Sequence, residues 1–550
     1  MSATGGTNRG SGGTNSGSGG SGGSGGTNRG SGGSGGSGSS GGSGSSGARG
    51  AAGKGGGQGG NRRRNEQGRE RNRGGERQFS QAAPAQRTRR ADPARLVAFE
   101  VLRAVAAEDA YANLVLPTSI RKHKLDRRDA GFATELTYGA LRGQGTYDAV
   151  LARCVDRPLD QLDPAVLDAL RIGVHQLLAM RVPAHAALDQ TVGLVRAVIG
   201  AGPSSLVNAV LRKVTTHDLD GWIGELVDGM TDATAIAALT YSHPEWIVRA
   251  LRQALVAHGR DVAEIDALLA ADNAAPVVHL VALPGLASLD GALEEGAEPG
   301  RLAPGSAYYS GGDVSRLPGV STGTIRVQDS GSQLVARALA AVDLGTGRRA
   351  GAEEWLDLCA GPGGKTALLA AIGQDSGVHL TANEPVPHRA QLVRQALRPL
   401  PEDSWTVRVG DGREIGQEQP DRYDRVLVDA PCTGLGALRR RPESRWRRKP
   451  ADLVGLAPLQ RELLASALDA VAPGGVVAYV TCSPHHAETD AVVDDCLRKR
   501  PGFERLDAGA ALDAVSIGGA LGAGHGTSAQ LWPHVHGTDA MYLALLRKTP

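Results

Sequence analysis

From Pro93 onward, apolar residues recur at helical spacing, first as Leu96, Phe99, Leu102 and Val105. Similar stretches follow at Ala130–Leu141, Val166–Met180, Leu188–Ile199 and Leu206–Val214. No strand-like alternation interrupts them, so residues 91–215 are expected to form an all-helical domain. Ala235–Leu269 continues as helices, within a connector over residues 216–275. The pattern then shifts. Residues 276–345 mix strand candidates at Val277–Ala282 and Thr324–Gln328 with a helix after Ser330, which predicts a small α+β subdomain. Over residues 346–548 strands alternate with helices. The strands are expected at Trp355–Leu358, Val378–Ala382, Thr406–Val409, Arg425–Asp429 and Val476–Thr481. The helices are expected at Lys365–Ile372, His388–Leu400, Leu459–Val471 and Glu488–Lys499. This alternation predicts a doubly wound, largely parallel, Rossmann-like α/β fold, with ligands at the carboxyl ends of the strands.

Residues 1–90 lack this periodicity. They are rich in Gly and Ser, TNRGSGG occurs at Thr7–Gly13 and at Thr27–Gly33, and arginines accumulate after residue 60. With no apolar face to bury, this tail is expected to stay disordered, as a solubilising linker or as a nonspecific RNA tether. Composition changes the picture in one respect. The formal charge of the chain is +2, but residues 1–90 hold 14 of its 60 Lys and Arg and 3 of its 58 Asp and Glu. The remainder therefore carries 46 basic against 55 acidic residues, so any affinity of the folded body for nucleic acid must come from local patches. There are five cysteines, no CxxC pair, no membrane-length apolar run and no basic-then-apolar leader pattern. These features argue against a disulfide framework or a structural zinc site, and they fit a reducing cytoplasm with no membrane partner and no metal.

Four short motifs fall at strand ends. The first, Asp357-Leu358-Cys359-Ala360-Gly361-Pro362-Gly363-Gly364-Lys365-Thr366, follows a strand and opens a helix. Glycines let a ligand approach the backbone, and the helix start offers free N–H groups to a carboxylate. A P-loop would need glycine where Cys359 stands, so a turn for an amino-acid-bearing nucleoside such as S-adenosylmethionine fits better. Second, Glu384 lies past the next strand, where a carboxylate can accept from ribose hydroxyls, and Asp411 follows the third strand, where it can sit near an adenine amino group. Asp357, Glu384 and Asp411 thus stand in step at successive strand ends. The third and fourth motifs, Asp429-Ala430-Pro431-Cys432-Thr433-Gly434 and Thr481-Cys482-Ser483-Pro484, each put a cysteine directly past a strand. A cysteine is commonly just a small buried hydrophobe, which is the reading taken for Cys154 and Cys496 in their helical context. The shared placement of Cys432 and Cys482 argues for chemistry instead. A basic run follows, with Arg439, Arg440, Arg441, Arg445, Arg447, Arg448 and Lys449 around Trp446. It could be a charged surface loop, but its place beside Cys432 and its aromatic favour contact with RNA phosphate and base.

The phrases LDLCAGPGGKT, DAPCTGLG, RRRPESRW and YVTCS together resemble the Nol/Nop/Sun group of RNA cytosine-5 methyltransferases. The phrases ARLVAFEVL, ELTYGALRG, LRIGVHQLL and LVNAVLRKV resemble the NusB-like RNA-binding helical domain, which narrows the likeness to the Sun/Fmu branch of 16S ribosomal RNA methyltransferases over residues 92–548. That resemblance implies S-adenosylmethionine as cofactor and a cytosine of 16S ribosomal RNA as target, the cytosine 967 site of the family. It also implies roles. Cys482 would be the nucleophile that adds to carbon 6, Cys432 would assist product release, Asp429 would hydrogen-bond the cytosine ring, and Cys359 to Lys365 with Glu384, Arg389, Asp411 and Asp429 would line the cofactor site. Lys365 would place a positive charge near the reacting thiol and lower its pKa. Arg439, Arg440, Arg445, Trp446 and Arg448 would meet RNA, and the target base must leave its stack to reach a buried thiol.

Three departures from the family pattern stand out. Gly361 replaces a common alanine, a change expected to be harmless; Asp539-Ala540-Met541-Tyr542 replaces an Asp-Gly-Phe-Phe type of segment; and Pro484–Asp490 differs from the usual acidic run while keeping Glu488. Two other functions remain open from sequence: a noncatalytic NusB-like antitermination regulator, which loss of either cysteine would favour, and the same chemistry on transfer RNA. Oligomeric state is not legible.

Overall fold

The structure, a computed structural model, describes residues 91–347 and 351–550. The expectations for the tail, residues 1–90, lie outside those residues. The N-terminal part is all helical, with helices at Pro93–Ala107, Ala112–Lys122, Arg127–Arg142, Gln144–Cys154, Pro164–Leu178, Ala184–Val198 and Ser204–Val214. Two of them start on an Asp-Pro pair. Asp92 accepts from the Arg95 amide and Asp163 from the Ala165 amide, each with proline at the first helical position, where its missing N–H costs nothing. Leu96, Val97, Val101 and Leu102 of the first helix are buried against Leu136, Leu170 and Leu194 of its neighbours. The helices at Ala112–Lys122 and Gln144–Cys154 were not expected. The first leaves Leu114 exposed and so lacks a full apolar stripe. The second begins directly after Gly143, the residue that ends its predecessor, so no loop separates the two patterns.

Helices at Leu219–Val227, Ala233–Thr240, Glu245–Ala257 and Ile265–Asn273 form the connector. Ile247, Leu251 and Leu255 share a buried cluster with Leu435, Leu438 and Trp532, so the connector packs directly on the segments around the cysteine motifs. A small antiparallel sheet follows, of strands β1 (Val278–Ala282), β2 (Glu298–Pro299), β3 (Ser306–Tyr309) and β4 (Ile325–Val327) in the order β2-β3-β1-β4. β2 and β3 were not expected from the pattern, since both are too short to alternate visibly. The helix Ser330–Ala341 is capped by Asp329, whose side chain accepts from the Gly331 amide.

The main sheet contains β5 (Glu354–Asp357), β6 (His379–Asn383), β7 (Trp405–Arg408), β8 (Tyr423–Asp429) and β9 (Val471–Thr481), with β10 (Phe503–Leu506), β11 (Gly524–His525), β12 (Ser528–Gln530) and β13 (Tyr542–Lys548). Its order is β11-β12-β13-β9-β8-β5-β6-β7, and β10 pairs with β13. The strands from β7 across to β9 are parallel, and β13 runs antiparallel to β9 with Tyr542 opposite Thr481. The strand order reverses between β5 and β8, and the carboxyl ends of these strands form the crevice where such folds bind ligands. Both faces are covered, as the near-continuous apolar runs of β8 and β9 require: Val426, Val428, Val477 and Tyr479 on one side, Leu427, Val476, Ala478 and Val480 on the other. The helix expected at Leu459–Val471 begins earlier, at Asp452, with Pro458 inside it. Among the described residues no helix is long and apolar enough to cross a membrane.

Candidate active site

β5 ends at Asp357, and the chain turns through Cys359 to Gly363 into the helix Gly364–Gly373. Gly363 has φ +105°, and a Cβ there would meet Ala396 Cβ at 2.6 Å and Val393 Cα at 3.1 Å, so only glycine allows both the turn and the helix beside it. The helix has no side-chain cap at its start, so its first N–H groups are open to a ligand. Asp357 is buried; its Oδ2 accepts from Thr366 Oγ1 at 2.7 Å, while Oδ1 has no protein partner, and burial pushes its carboxyl up to about 7. Burial also pushes the Cys359 thiol well up.

Glu384 lies under this turn. It is buried, its Oε1 accepts from the Val386 amide at 3.0 Å, and its Oε2 is 3.4 Å from Arg389 Nη1. Arg389 also donates to the Gly361 carbonyl at 2.7 Å. A Cβ on Gly361 would meet Glu384 Oε2 at 2.1 Å, so the family's alanine would require only the end of that carboxylate side chain to shift. Asp411 is more peripheral. It caps the turn Gly412–Glu414, and its carboxylate is already engaged by Arg413, which also reaches Glu462 at 2.9 Å.

The two cysteine motifs meet across β8 and β9. Cys432 Sγ and Cys482 Sγ are 3.4 Å apart, both as free thiols. Their hydrogen bond drives them in opposite directions, with Cys482 held below the ordinary thiol range and Cys432 pushed well above it. Burial and Asp429 oppose the first shift, and Lys365 assists it. Lys365 Nζ is 2.8 Å from Asp429 Oδ2; burial works against its charge, but Asp429 outweighs it and keeps the amine protonated. Cys154 and Cys496 are buried elsewhere.

The loop of Cys432 is fixed from beneath. Glu488 Oε1 accepts from the Thr433 amide at 2.8 Å and from Gln460 Nε2 at 3.1 Å, and its Oε2 takes the Thr433 hydroxyl. On the other side, Gly436 N donates to the Cys482 carbonyl at 2.9 Å, and Ala540 N donates to the Gly436 carbonyl at 2.8 Å. The unusual Asp539-Ala540-Met541-Tyr542 segment therefore still braces the site. Asp539 is buried, pairs with Arg439 and Arg440, and donates its backbone amide to Asp329 Oδ1 at 3.1 Å. Sequence reasoning missed Asp329 and Asp539 as supports. Only an acidic residue at a helix cap and another before the last strand hinted at them.

The basic run departs from its expected role at several positions. Arg445 is fully buried, donating to the carbonyls of Arg142, Ser242 and Asp272 and to Asn273 Oδ1 at 2.6 Å, and burial lowers its guanidinium to about 10. Arg439 is buried between Asp329 and Asp539. Trp446 packs so close to the N-terminal helices that a Cβ on Gly145 would meet its ring at 2.5 Å. Arg445 and Trp446 fasten this run to the helices, Arg439 fastens it to the segment before β13, and the two arginines are sealed from solvent while Trp446 is half-buried. Arg445 and Arg439 are held by backbone carbonyls and carboxylates far away in sequence, while Arg445 Nε and Trp446 Nε1 are buried without a hydrogen-bond partner. Arg447 likewise donates to the carbonyls of Val105, Asp109 and Ala110. Arg440 and Arg448 are half-buried, while Arg441, stacked 5.4 Å from the Tyr111 ring, and Lys449 are exposed.

Residues 348–547 match the family described as 16S rRNA methyltransferase RsmB/F, and residues 92–216 match the NusB family. A Mycobacterium tuberculosis protein that bears only the general name of a methyltransferase, Rv1407, is 50% identical over 467 residues, covering 84% of this chain and 98% of its own. The ribosomal RNA small subunit methyltransferase B of Pseudomonas putida is 32% identical over 463 residues, covering 82% and 98%. Among solved structures, PH0851 superposes with a TM-score of 0.67 at 22% identity, covering 83% of this chain and 99% of that one, a likeness of fold. Built from a NusB-family helical part and a doubly wound sheet with paired cysteines at its carboxyl edge, the chain belongs to the RsmB/F family of 16S rRNA methyltransferases.

Proposed function

We propose that this chain methylates carbon 5 of a cytosine in 16S ribosomal RNA, the cytosine 967 site of its family, with S-adenosylmethionine as methyl donor and Cys482 as nucleophile. The observation that carries this reading is the 3.4 Å approach of two free thiols from adjacent strand ends, beside the glycine turn. The turn suits the donor. Its open helix start can take a carboxylate, Glu384 can accept from ribose hydroxyls, and the unpartnered Asp357 Oδ1 offers a buried acceptor. Asp411 could reach an adenine amino group only by sharing its carboxylate with Arg413. S-adenosylmethionine supplies an electrophilic methyl on a sulfonium.

The chain's own residues supply the rest. Carbon 5 of cytosine is a poor nucleophile until a thiolate adds to carbon 6. Cys482 is the thiol whose ionisation is favoured, by Cys432 and by Lys365. As its sulfur bonds to carbon 6, the ring takes a proton from water on nitrogen 3, with Asp429 as hydrogen-bond partner, and carbon 5 becomes enamine-like and takes the methyl; the nitrogen 3 proton returns to water when the ring is restored. Release requires the proton on carbon 5 to leave and the carbon–sulfur bond to break, returning Cys482 as thiolate. Cys432, beside the same sulfur, is assigned to assist that step. The NusB-family part, residues 91–215 in this reading, supplies a further RNA-binding surface. Incubation with S-adenosylmethionine and unmodified 16S transcript, followed by nucleoside mass spectrometry and bisulfite sequencing, tests the proposal. A new 5-methylcytosine in the transcript is expected. Methylation of transfer RNA alone would move the activity to another RNA, and no methyl transfer to either would overturn it.

A further inference from the structure

A cavity of about 570 Å³ opens between the small antiparallel sheet and the segment before β13, with His279, Arg301, Tyr308, Val535, His536 and Gly537 on its walls. Its volume is that of a pocket for a small ligand. It is not part of the glycine turn, and no role has been given to it. Two walls tie it to the nucleophile. Gly537 offers its carbonyl to Arg439 at 2.8 Å, Arg439 pairs with Asp539, and the next residue, Ala540, bonds Gly436, which bonds the Cys482 carbonyl. His279 lies 3.4 Å from Asp329, which holds Arg439 at 2.8 Å.

The lining has a definite chemistry. His279 Nδ1 receives the Ser330 amide at 3.0 Å, and an amide can only donate, so the neutral ring carries its proton on Nε2. The ring is neutral because burial, with Arg439 and Arg440 nearby, lowers it to about 4. The Nε2–H is then a fixed donor with no other partner among the described residues. Tyr308 packs against the same imidazole, centroids 4.7 Å apart and planes tilted by 50°, and is half-exposed. Arg301 stands at the rim, its side chain 81% exposed, with Glu298 at 4.0 Å as its only ion-pair partner among the described residues, a surface pair too weak to hold it. An aromatic face, an oriented donor and a rim cation are what an unstacked nucleotide requires: a platform for the base, a hydrogen bond to its edge and a charge for its phosphate.

We propose that this cavity binds an unpaired nucleotide of the substrate RNA close to the target cytosine, stacked on Tyr308, read by His279 Nε2–H through an acceptor on the base, and held at its phosphate by Arg301. The inference rests on the RNA-methylating reading above. Its consequence is specificity. A base splayed into this cavity fixes the register of the RNA, so that only the neighbouring cytosine can reach Cys482.

The test uses the full chain and an in vitro 16S transcript carrying 4-thiouridine. Tyr308→Ala is expected to raise the KM for RNA roughly ten-fold, as loss of one base stack does, with kcat at saturating RNA retained. Arg301→Ala should lower the salt slope of RNA binding by about one. Val535→Trp, at an exposed wall position, should fill the cavity and raise KM in the same way, which guards against misfolding of the Tyr308 variant. Ultraviolet cross-links are expected on peptides containing residues 298–310 or 519–537. Wild-type methylation with unchanged KM in all three variants, and cross-links elsewhere, would overturn the inference and leave the enzyme reading intact. Cross-links in the cavity with an RNA that is bound but never methylated would support the inference and overturn the enzyme reading.

Discussion

Cys482 and Cys432 lie one hydrogen bond apart, and the proposed reaction gives them different tasks. Cys482→Ala should abolish methyl transfer and give no covalent complex with RNA. Cys432→Ala should still attack and methylate, then stall as a protein–RNA adduct that survives a denaturing gel. The two variants differ in kind and not merely in rate, which separates them from general destabilisation. An adduct from Cys482→Ala and none from Cys432→Ala would reverse the assignment. Lys365 bears on the same thiol. Its cation favours the thiolate, so Lys365→Met raises the Cys482 pKa, and the acid limb of the pH profile of kcat/KM should move to higher pH. A limb that stays in place would assign the lowered pKa of Cys482 to Cys432 alone. Glu384 is proposed to hold the methyl donor. Glu384→Ala should weaken S-adenosylmethionine binding by calorimetry while leaving RNA affinity unchanged.

At the scale of elements, the run from Arg439 to Lys449 works as a strap more than as an RNA patch. Arg445 satisfies four acceptors from three separate segments, in a place where no water can replace it. Arg445→Met should therefore cost about 3 kcal/mol or more of stability, read from a denaturant midpoint, because the carbonyls it served stay buried. Its effect on the salt slope of RNA binding should be nil. Arg441→Ala and Lys449→Ala should do the opposite, lowering the slope by about one each with little change in stability. A normal midpoint for Arg445→Met with weakened RNA binding would restore the residue to the RNA face.

Across the whole molecule, charge is divided between a basic tail and an acidic body. Removing residues 1–90 takes away a net +11 and should reduce the salt dependence of RNA binding while the body keeps its unfolding midpoint. An unchanged slope would leave the tail as a linker. The body itself is knitted together at the site. The connector helices contribute Ile247 and Leu251 to a cluster with Leu435 and Leu438, and His258 Nε2 reaches the Pro484 carbonyl at 3.1 Å, two residues past Cys482.

Local patterning by itself determined the succession of an all-helical part, a small mixed subdomain and an alternating sheet, because helical and strand periods are written in neighbouring residues. It also marked the strand-end motifs that supply Cys359 to Lys365, Glu384, Cys432 and Cys482, since chain reversals into helices need glycine and proline at fixed places. It missed β2, β3 and β10 to β12, which are two to four residues long and owe their pairing to partners distant in the chain. Only the tertiary structure decided which charges face solvent. Arg439 and Arg441 are neighbours in the same basic run, yet one is sealed between Asp329 and Asp539 and the other lies open over Tyr111. Burial and the partner across a fold are properties of packing, and no spacing along the chain encodes them.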